Sequence, residues 1–261
     1  DPDRIAVLDN FCWPSCDEPA NLGSLVRAAE ACRDGALAYR TPFISGKDSL
    51  NNQFTTDAGR TIAIPPTLLI SAVGLVHDAA RCLTSDAKRA GNLLLQVGPT
   101  TPRLGASYCQ AVTDAQPSVD IPRVDLERGP RFARAVAALI ADGLIAAAHD
   151  CSEGGMLVAA AEMAFAGRIG LAVNLAGVPA DHAVDDRAAC FAETPSRYLL
   201  EVAPDDFDAV ARRLRDADVP FGEIGAFNDT DRLTVASEHA GQLADLPLDQ
   251  LRETWLRPLD W

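Results

Sequence analysis

Short apolar runs that stop abruptly in polar, glycine-bearing turns restrict this chain more than any other feature. RIAVLDNF (4–11), TPFIS (41–45), TLLISAVGLV (67–76), NLLLQVG (92–98), LIAAAHD (144–150), IGLAVNL (169–175) and RYLLEVA (197–203) are of this kind. Runs of that length bounded by turn residues read as strands, with RIAVLDNF buried and TLLISAVGLV apolar on both faces. Between them lie helical patterns. In NLGSLVRAAEACRDGALAY (21–39), Leu22, Leu25, Ala28, Ala29 and Cys32 recur at helical spacing, with Asn21 placed to cap the start. PRFARAVAALIADG (130–143) and a segment from Glu153 to about Phe165 are further helices. The last part runs strand, helix, strand, strand through RYLLEVA, DDFDAVARRLRDA, FGEIG and RLTVA, an α+β or ferredoxin-like order rather than a doubly wound one. The charged run SDAKRAGN (85–92) marks a boundary, so the chain is expected to form two domains, residues 1–88 and 89–261.

Charge narrows the partners. With 23 Lys and Arg against 37 Asp and Glu, the net charge is −14, which argues against a nucleic-acid partner, since phosphate backbones are bound by clustered cations. An anionic small substrate remains compatible where positive groups are local. No apolar run has the length to span a bilayer and no signal-peptide pattern opens the chain, so no membrane association is expected. Seven cysteines, Cys12, Cys16, Cys32, Cys82, Cys109, Cys151 and Cys190, form no CxxC pair and no zinc spacing. They read as reduced, partly buried thiols of a cytoplasmic protein. The chain enters a strand almost at its first residue, as if cut from something longer.

Three short segments carry the candidate chemistry. Gly46-Lys47-Asp48-Ser49 follows TPFIS directly, with Asn51 and Asn52 close behind. It is no Walker loop, because the earlier glycine is missing and Asp48 stands where Ser or Thr is needed. It reads either as a strand-to-turn exit closed by Asp and Ser side chains, or as a glycine letting backbone approach a ligand, with Lys47 and Ser49 meeting phosphate oxygens. His149-Asp150-Cys151-Ser152-Glu153-Gly154-Gly155 turns a strand into a helix, with Ser152 a natural N-cap. Two glycines in a first turn cost helix stability, roughly 1 kcal/mol each. They suit either tight strand–helix packing or an anion held at the helix N-terminus, with Asp150 offering a carboxylate to Mg²⁺. His149 reads as a packed histidine. Glu193-Thr194-Pro195-Ser196-Arg197, just before YLLEV, is either a polar loop or an anion-binding one in which Ser196 and Arg197 grasp a phosphate. The LGASY turn (104–108) is too generic to interpret alone. GxGxxG, HExxH and the nucleophile elbow are absent.

Taken in order, DNFCWP, SGKDSLNNQF, DCSEGGMLVAAAEMAFAG and AETPSRYLLEV resemble the second half of the phosphoribosylformylglycinamidine synthase family, over essentially the whole chain. That resemblance implies an AIR synthetase-like architecture (aminoimidazole ribonucleotide synthetase). An α/β N-terminal domain, here lacking its start, pairs sheet-to-sheet with a counterpart and is followed by an α+β C-terminal domain. It also implies a role in an ATP- and Mg²⁺-dependent carbon–nitrogen ligase of purine biosynthesis. Formylglycinamide ribonucleotide, ATP and glutamine-derived ammonia become the amidine, ADP, phosphate and glutamate, the amide oxygen being phosphorylated before ammonia displaces it. The implied partners are the N-terminal half of the same enzyme and a glutaminase subunit or domain.

The resemblance assigns Gly46, Lys47, Asp9 and Ser152 to nucleotide, Ser49, Glu193, Ser196 and Arg197 to substrate, and Asp150 to the metal. The family's catalytic histidines belong to the other half, so none is expected here and the fragment alone should be inactive. Two departures stand out: Lys47 replaces the metal-binding Asn of the short form, and Val7 occupies the spacing at which that form has its ATP-contacting Asp, with Asp9 nearby. An alternative is a non-catalytic nucleotide-holding and assembly module. A stand-alone kinase-like relative, such as a thiamine monophosphate kinase or selenophosphate synthetase, is disfavoured by DNFCWP and GKDSLNN.

Overall fold

The computed structural model describes residues 2–76, 78–113 and 120–259. The chain divides into two compact units, residues 1–80 and 81–261.

The first unit contains β1 (Ile5–Cys12), α1 (Pro19–Tyr39), β2 (Phe43–Ser49), the short β3 (Gln53–Thr55) and β4 (Thr61–Ala63), and β5 (Thr67–Gly74). Its sheet has the order β2–β1–β5, with β2 parallel and β5 antiparallel to β1, while β3 and β4 form a separate hairpin. The helical crossover α1 is what allows β1 and β2 to run parallel. It starts two residues before the expected cap, because Pro19 is preset for a first helical turn; the Asn21 amide donates instead to the Ser15 carbonyl at 2.9 Å. The expectation of a buried β1 is corrected too. Within the unit β1 is half-buried along its length and β5 is exposed at all but Leu68, so Ile44, Leu69 and Val73 keep 62%, 58% and 58% of their surface. One long helix supplies too little surface to cover both faces of the sheet.

In the second unit seven strands form one sheet: β6 (Leu93–Val97), β7 (Ala147–Asp150), β8 (Gly170–Asn174), β9 (Tyr198–Val202), β10 (Phe221–Asn228), β11 (Arg232–Ser237) and β12 (Gly241–Pro247). Their order is β12–β11–β8–β10–β6–β9–β7, antiparallel throughout except at β8–β11. The helices are α2 (Tyr108–Val112), α3 (Arg128–Ala141), α4 (Gly155–Gly167), α5 (Asp186–Phe191), α6 (Phe207–Asp216) and α7 (Leu248–Leu256). Leu94 and Leu199 pack into a core with Met156 and Met163 of α4. Leu95, Val97, Leu200 and Val202 point the other way, into a core with Phe132 and Leu139 of α3 and Leu214 of α6. A sheet covered by helices on both faces needs strands apolar at every position, which is why NLLLQV and YLLEV lack the alternation of a half-exposed strand.

Glu201 is the exception in that sandwich. It is fully buried in β9, and its carboxylate accepts from the backbone N–H groups of Lys88 and Arg89 (2.7 and 2.9 Å) and from the Asn92 amide (2.7 Å). The charged run 85–92 is thereby pinned to the sheet of the second unit. Glu201→Gln would set a donating NH₂ against one of these donors, and the orphaned group is expected to cost about 1–3 kcal/mol, read as a lower urea midpoint.

Candidate functional site

Strand β7 delivers Asp150 to the end of the sheet, where it pairs with Tyr198 in register. The Asp150 side chain is 64% exposed and accepts a hydrogen bond from the Ser152 hydroxyl, which holds its carboxyl below the usual carboxylate range and keeps it ionised. Ser152 is therefore not the helix cap expected from the sequence. That position belongs to Gly154, at φ 78°, and α4 begins at Gly155. Asp150 and Ser152 line a pocket of about 230 Å³ together with His149, Glu153 and Glu162.

The two glycines have an internal explanation. Gly155 has φ 75°, and a Cβ there would lie 2.6 Å from the Ala192 carbonyl oxygen; one on Gly154 would strike Val158. Both N–H groups are engaged, Gly154 with Glu193 Oε1 at 2.9 Å and Gly155 with the Ser152 carbonyl at 3.0 Å. Tight packing, rather than open amides for an anion, accounts for this pair.

His149 is likewise structural. Its Nε2 lies 2.9 Å from Glu162 and its Nδ1 2.7 Å from the Asp150 carbonyl, and the Trp255 indole donates to the other Glu162 oxygen at 3.1 Å. Cys151, between the two polar residues, is buried, and burial pushes its thiol up to about 11. Cys190 is raised further, to about 12, by burial and then by Asp186 and Asp185. Neither thiol is a nucleophile at neutral pH.

The loop 193–197 meets this turn from the side. Glu193 Oε1 accepts from both Gly154 N and Tyr108 N (2.8 Å), so one carboxylate ties the HDCSEGG turn to the LGASY turn. Arg197 is 1% exposed. Its guanidinium donates to the Thr194 carbonyl (3.0 Å), the Thr100 hydroxyl (3.0 Å) and the Ala192 carbonyl, and burial draws its pKa below the usual arginine value. Where the sequence suggested a phosphate-grasping arginine, the structure buries this guanidinium among groups of its own loop, which it holds in shape. Ser196, at φ 61°, lies on the rim of a pocket of about 620 Å³. Arg128 borders the same pocket, clamped by Asp181 (2.6 and 3.2 Å) over the Phe132 ring, and Arg123 lines it as well.

The remaining candidates lie in the first unit. Asp9 and Gly46 are opposite one another in the β1–β2 register, and a Cβ on Gly46 would collide with the Asp9 carboxylate. Lys47 donates to the Ser49 hydroxyl at 2.7 Å. Strand alternation sends Gly46 and Lys47 to opposite faces, so Asp9 with Gly46 and Lys47 with Ser49 form two separate groups.

Among the described residues no cluster of three His, Cys, Asp or Glu side chains is arranged to hold a metal. A cation at Asp150 would need oxygens from a ligand. Magnesium accepts that arrangement, one carboxylate plus phosphate oxygens, so the donor set fits a phosphate-borne ion and not a resident one. No helix among the described residues is long and apolar enough to cross a membrane.

Residues 89–238 match the family described as AIR synthase related protein, C-terminal domain. The chain belongs to the AIR synthase related family. Phosphoribosylformylglycinamidine synthase subunit PurL of Deinococcus radiodurans is 32% identical over 260 residues, 98% of this chain and 34% of the relative. The subunit PurL of Azorhizobium caulinodans is 37% identical over 235 residues, 90% of this chain and 30% of the relative. The chain thus spans about a third of the length of the curated relatives it matches. Among solved structures, Thermotoga maritima PurL complexed with FGAR superposes with a TM-score of 0.73 at 18% identity, over 94% of this chain and 39% of that one. The same protein complexed with ATP gives 0.69 at 16%, over 96% and 38%. These likenesses establish an AIR synthetase-like fold for this AIR synthase related chain.

Sequence reasoning missed Thr100 and Thr194. Thr194 is buried and its hydroxyl accepts from the Thr101 N–H at 3.1 Å; Thr100 is buried and takes donors from both Arg197 and Gln96. It also missed Gly98, whose missing Cβ makes room for the Ser196 carbonyl at φ 85°. In this member of the AIR synthase related family these residues shape the loop through contacts within the chain. Only the glycine among them carried a local signal.

Proposed function

We propose that this chain is the C-terminal half of the synthetase component of phosphoribosylformylglycinamidine synthase. It would work in the cytoplasm with the N-terminal half of that enzyme and with a glutaminase subunit or domain. The assembly would convert formylglycinamide ribonucleotide, ATP and glutamine-derived ammonia to the amidine, ADP, phosphate and glutamate. What carries the reading is sequence identity to PurL that runs over nearly the whole chain. The solved complexes of T. maritima PurL with ATP and with FGAR supply its ligands.

On this reading Asp150 holds Mg²⁺ brought by a nucleotide, and Ser152 fixes the carboxylate that receives it. Bound magnesium would neutralise charge on the phosphate oxygens. Asp9 and Gly46 face nucleotide in the first unit, while Lys47 and Ser49 form a second polar group there for phosphate and substrate. Ser196 contacts the ribonucleotide phosphate from the loop that Glu193 and Arg197 brace. The exposed apolar strands of the first unit, with Ile44, Leu69 and Val73 open, give the N-terminal half a surface to cover.

A second reading is a nucleotide held and not turned over, in a non-catalytic nucleotide-holding and assembly module. Calorimetry separates the two. Asp150→Asn is expected to weaken Mg·ADP binding by the chain at least about tenfold, roughly 1.4 kcal/mol. If turnover by the enzyme carrying both halves survives that substitution, the nucleotide is structural; if it falls in parallel, the nucleotide is used. Unchanged ADP binding would remove Asp150 from the site, and multiple turnovers by this chain alone, with ammonia and ATP, would overturn its assignment as half of an enzyme.

A further inference from the structure

At the opposite end of the seven-stranded sheet from Asp150 and Ser196, three turns enclose a second concavity of about 460 Å³. Register fixes the separation: β6 runs from Leu93, paired with Val202 and Ala226, to Val97, paired with Tyr198 and Phe221. The concavity lies before Leu93 and after Phe227, whereas the 193–197 loop lies before Tyr198. Its lining carries Lys88, Arg89 and Arg168, with Asn228, Thr230 and a single carboxylate, Asp229. That is a local balance of three cations to one anion in a chain whose net charge is −14.

The turns are held rigidly. Buried Glu201 fixes the backbone of Lys88 and Arg89. Gly91 donates to the Phe227 carbonyl at 2.9 Å and Phe227 donates to that of Asn92 at 2.9 Å, so the first turn is stitched to the end of β10. Ala87 donates to the Met163 carbonyl at 3.0 Å, and Gly167 packs so closely on Ala87 that a Cβ would collide with its backbone. Gly170 fits in the same way beneath Asn228 and Thr230. Arg168 stands on the left-handed residue that ends α4. Lys88 is occupied by Asp86 at 2.7 Å and Thr84 at 2.6 Å. The Arg89 and Arg168 guanidinium groups show no hydrogen bond or ion pair among the described residues, although Asp229 shares the lining. Two arginines lining one hollow suit a tetrahedral oxyanion, which a guanidinium fork can bind through paired N–H groups. The remaining lining, Ala90 and Ile169, is aliphatic, with no ring to stack a base, so a nucleoside is disfavoured.

We propose that this hollow is a binding site for a small phosphate-bearing anion, recognised chiefly by Arg89 and Arg168 and separate from the candidate nucleotide site at Asp150. The proposal stands independently of the amidotransferase reading.

The test is an NMR titration of the chain with inorganic phosphate and, separately, ribose 5-phosphate. It is run without divalent cations, with EDTA, at constant ionic strength, following the arginine Nε–Hε signals. Saturable shifts at Arg89 and Arg168 are expected, with affinity falling at least about tenfold in R89A/R168N, where Asn suits the left-handed backbone. R89Q, which leaves the 168 turn untouched, should weaken binding in the same direction. R212A/R252A removes the same charge from elsewhere on the unit and should leave the affinity unchanged. Equal affinity for both probes identifies free phosphate as a sufficient ligand, and tighter binding of ribose 5-phosphate identifies an ester. Absence of saturable shifts at the two arginines, or an equal loss in R212A/R252A, overturns the site.

Discussion

Gly155→Ala is expected to destabilise the second unit by about 3 kcal/mol, within a range of roughly 2–5 kcal/mol. Two costs add. The backbone at 155 has φ 75°, which costs an L-residue with a Cβ about 1–2 kcal/mol. The added methyl would lie 2.6 Å from the Ala192 carbonyl oxygen and 2.8 Å from the Phe191 carbonyl carbon, and both are main-chain atoms of a buried segment that cannot swing aside. Forcing the contact adds about 1–3 kcal/mol. Urea unfolding followed by circular dichroism reads the change directly. Because Gly155 and Ala192 are the chain neighbours of Gly154 and Glu193, whose hydrogen bond holds the turn, the substitution should also weaken Mg·ADP binding. A midpoint equal to that of the parent chain would show that the turn relaxes without strain, and that ligand approach must be sought again as the reason for glycine.

Arg197→Ala should be at least as costly, about 3–5 kcal/mol. The guanidinium fills a fully buried volume and satisfies the Thr194 and Ala192 carbonyls and the Thr100 hydroxyl. Truncation leaves a cavity and three acceptors with fewer donors. Arg197→Lys keeps the charge but not the fork, and should recover only part of the loss. If Arg197 instead met a ligand phosphate, the Ala variant would lose affinity while its unfolding midpoint held. The structure predicts the reverse order of sensitivity, with stability failing first.

The difference between these residues and their sequence-based reading shows where sequence stops being informative. NLLLQVG and RYLLEVA were legible as strands and PRFARAVAALIADG as a helix, while the double covering of those strands and the Phe132, Val136 and Leu139 face came only from the structure. The β3–β4 hairpin was not legible, since every residue of its two strands is exposed and neither strand carries a buried stripe. β12 and α7 were missed for the same reason: their outward positions dominate and Leu248 alone is buried in that helix. At the candidate site, DCSEGG announced an unusual turn, but the purpose of its glycines lay in contacts with residues 191–193, about forty positions away. Glu193 looked like a loop carboxylate, yet it joins Tyr108 to Gly154 across separations of 85 and 39 residues. Arg197 looked like a surface cation because arginine seldom lies fully inside. Nothing local distinguishes an arginine that greets a ligand from one that braces its own loop; only the positions of Thr100, Ala192 and Thr194 do.

The chain of bonds from Trp255 through Glu162 to His149 gives the last helix an influence out of proportion to its distance along the sequence. Trp255 also rests on Phe165, with ring centroids 5.9 Å apart. Shortening the chain before residue 255 would therefore release more than a fraying tail. It would free a glutamate to turn and an imidazole to tilt, and the aspartate next door would lose its steady aim.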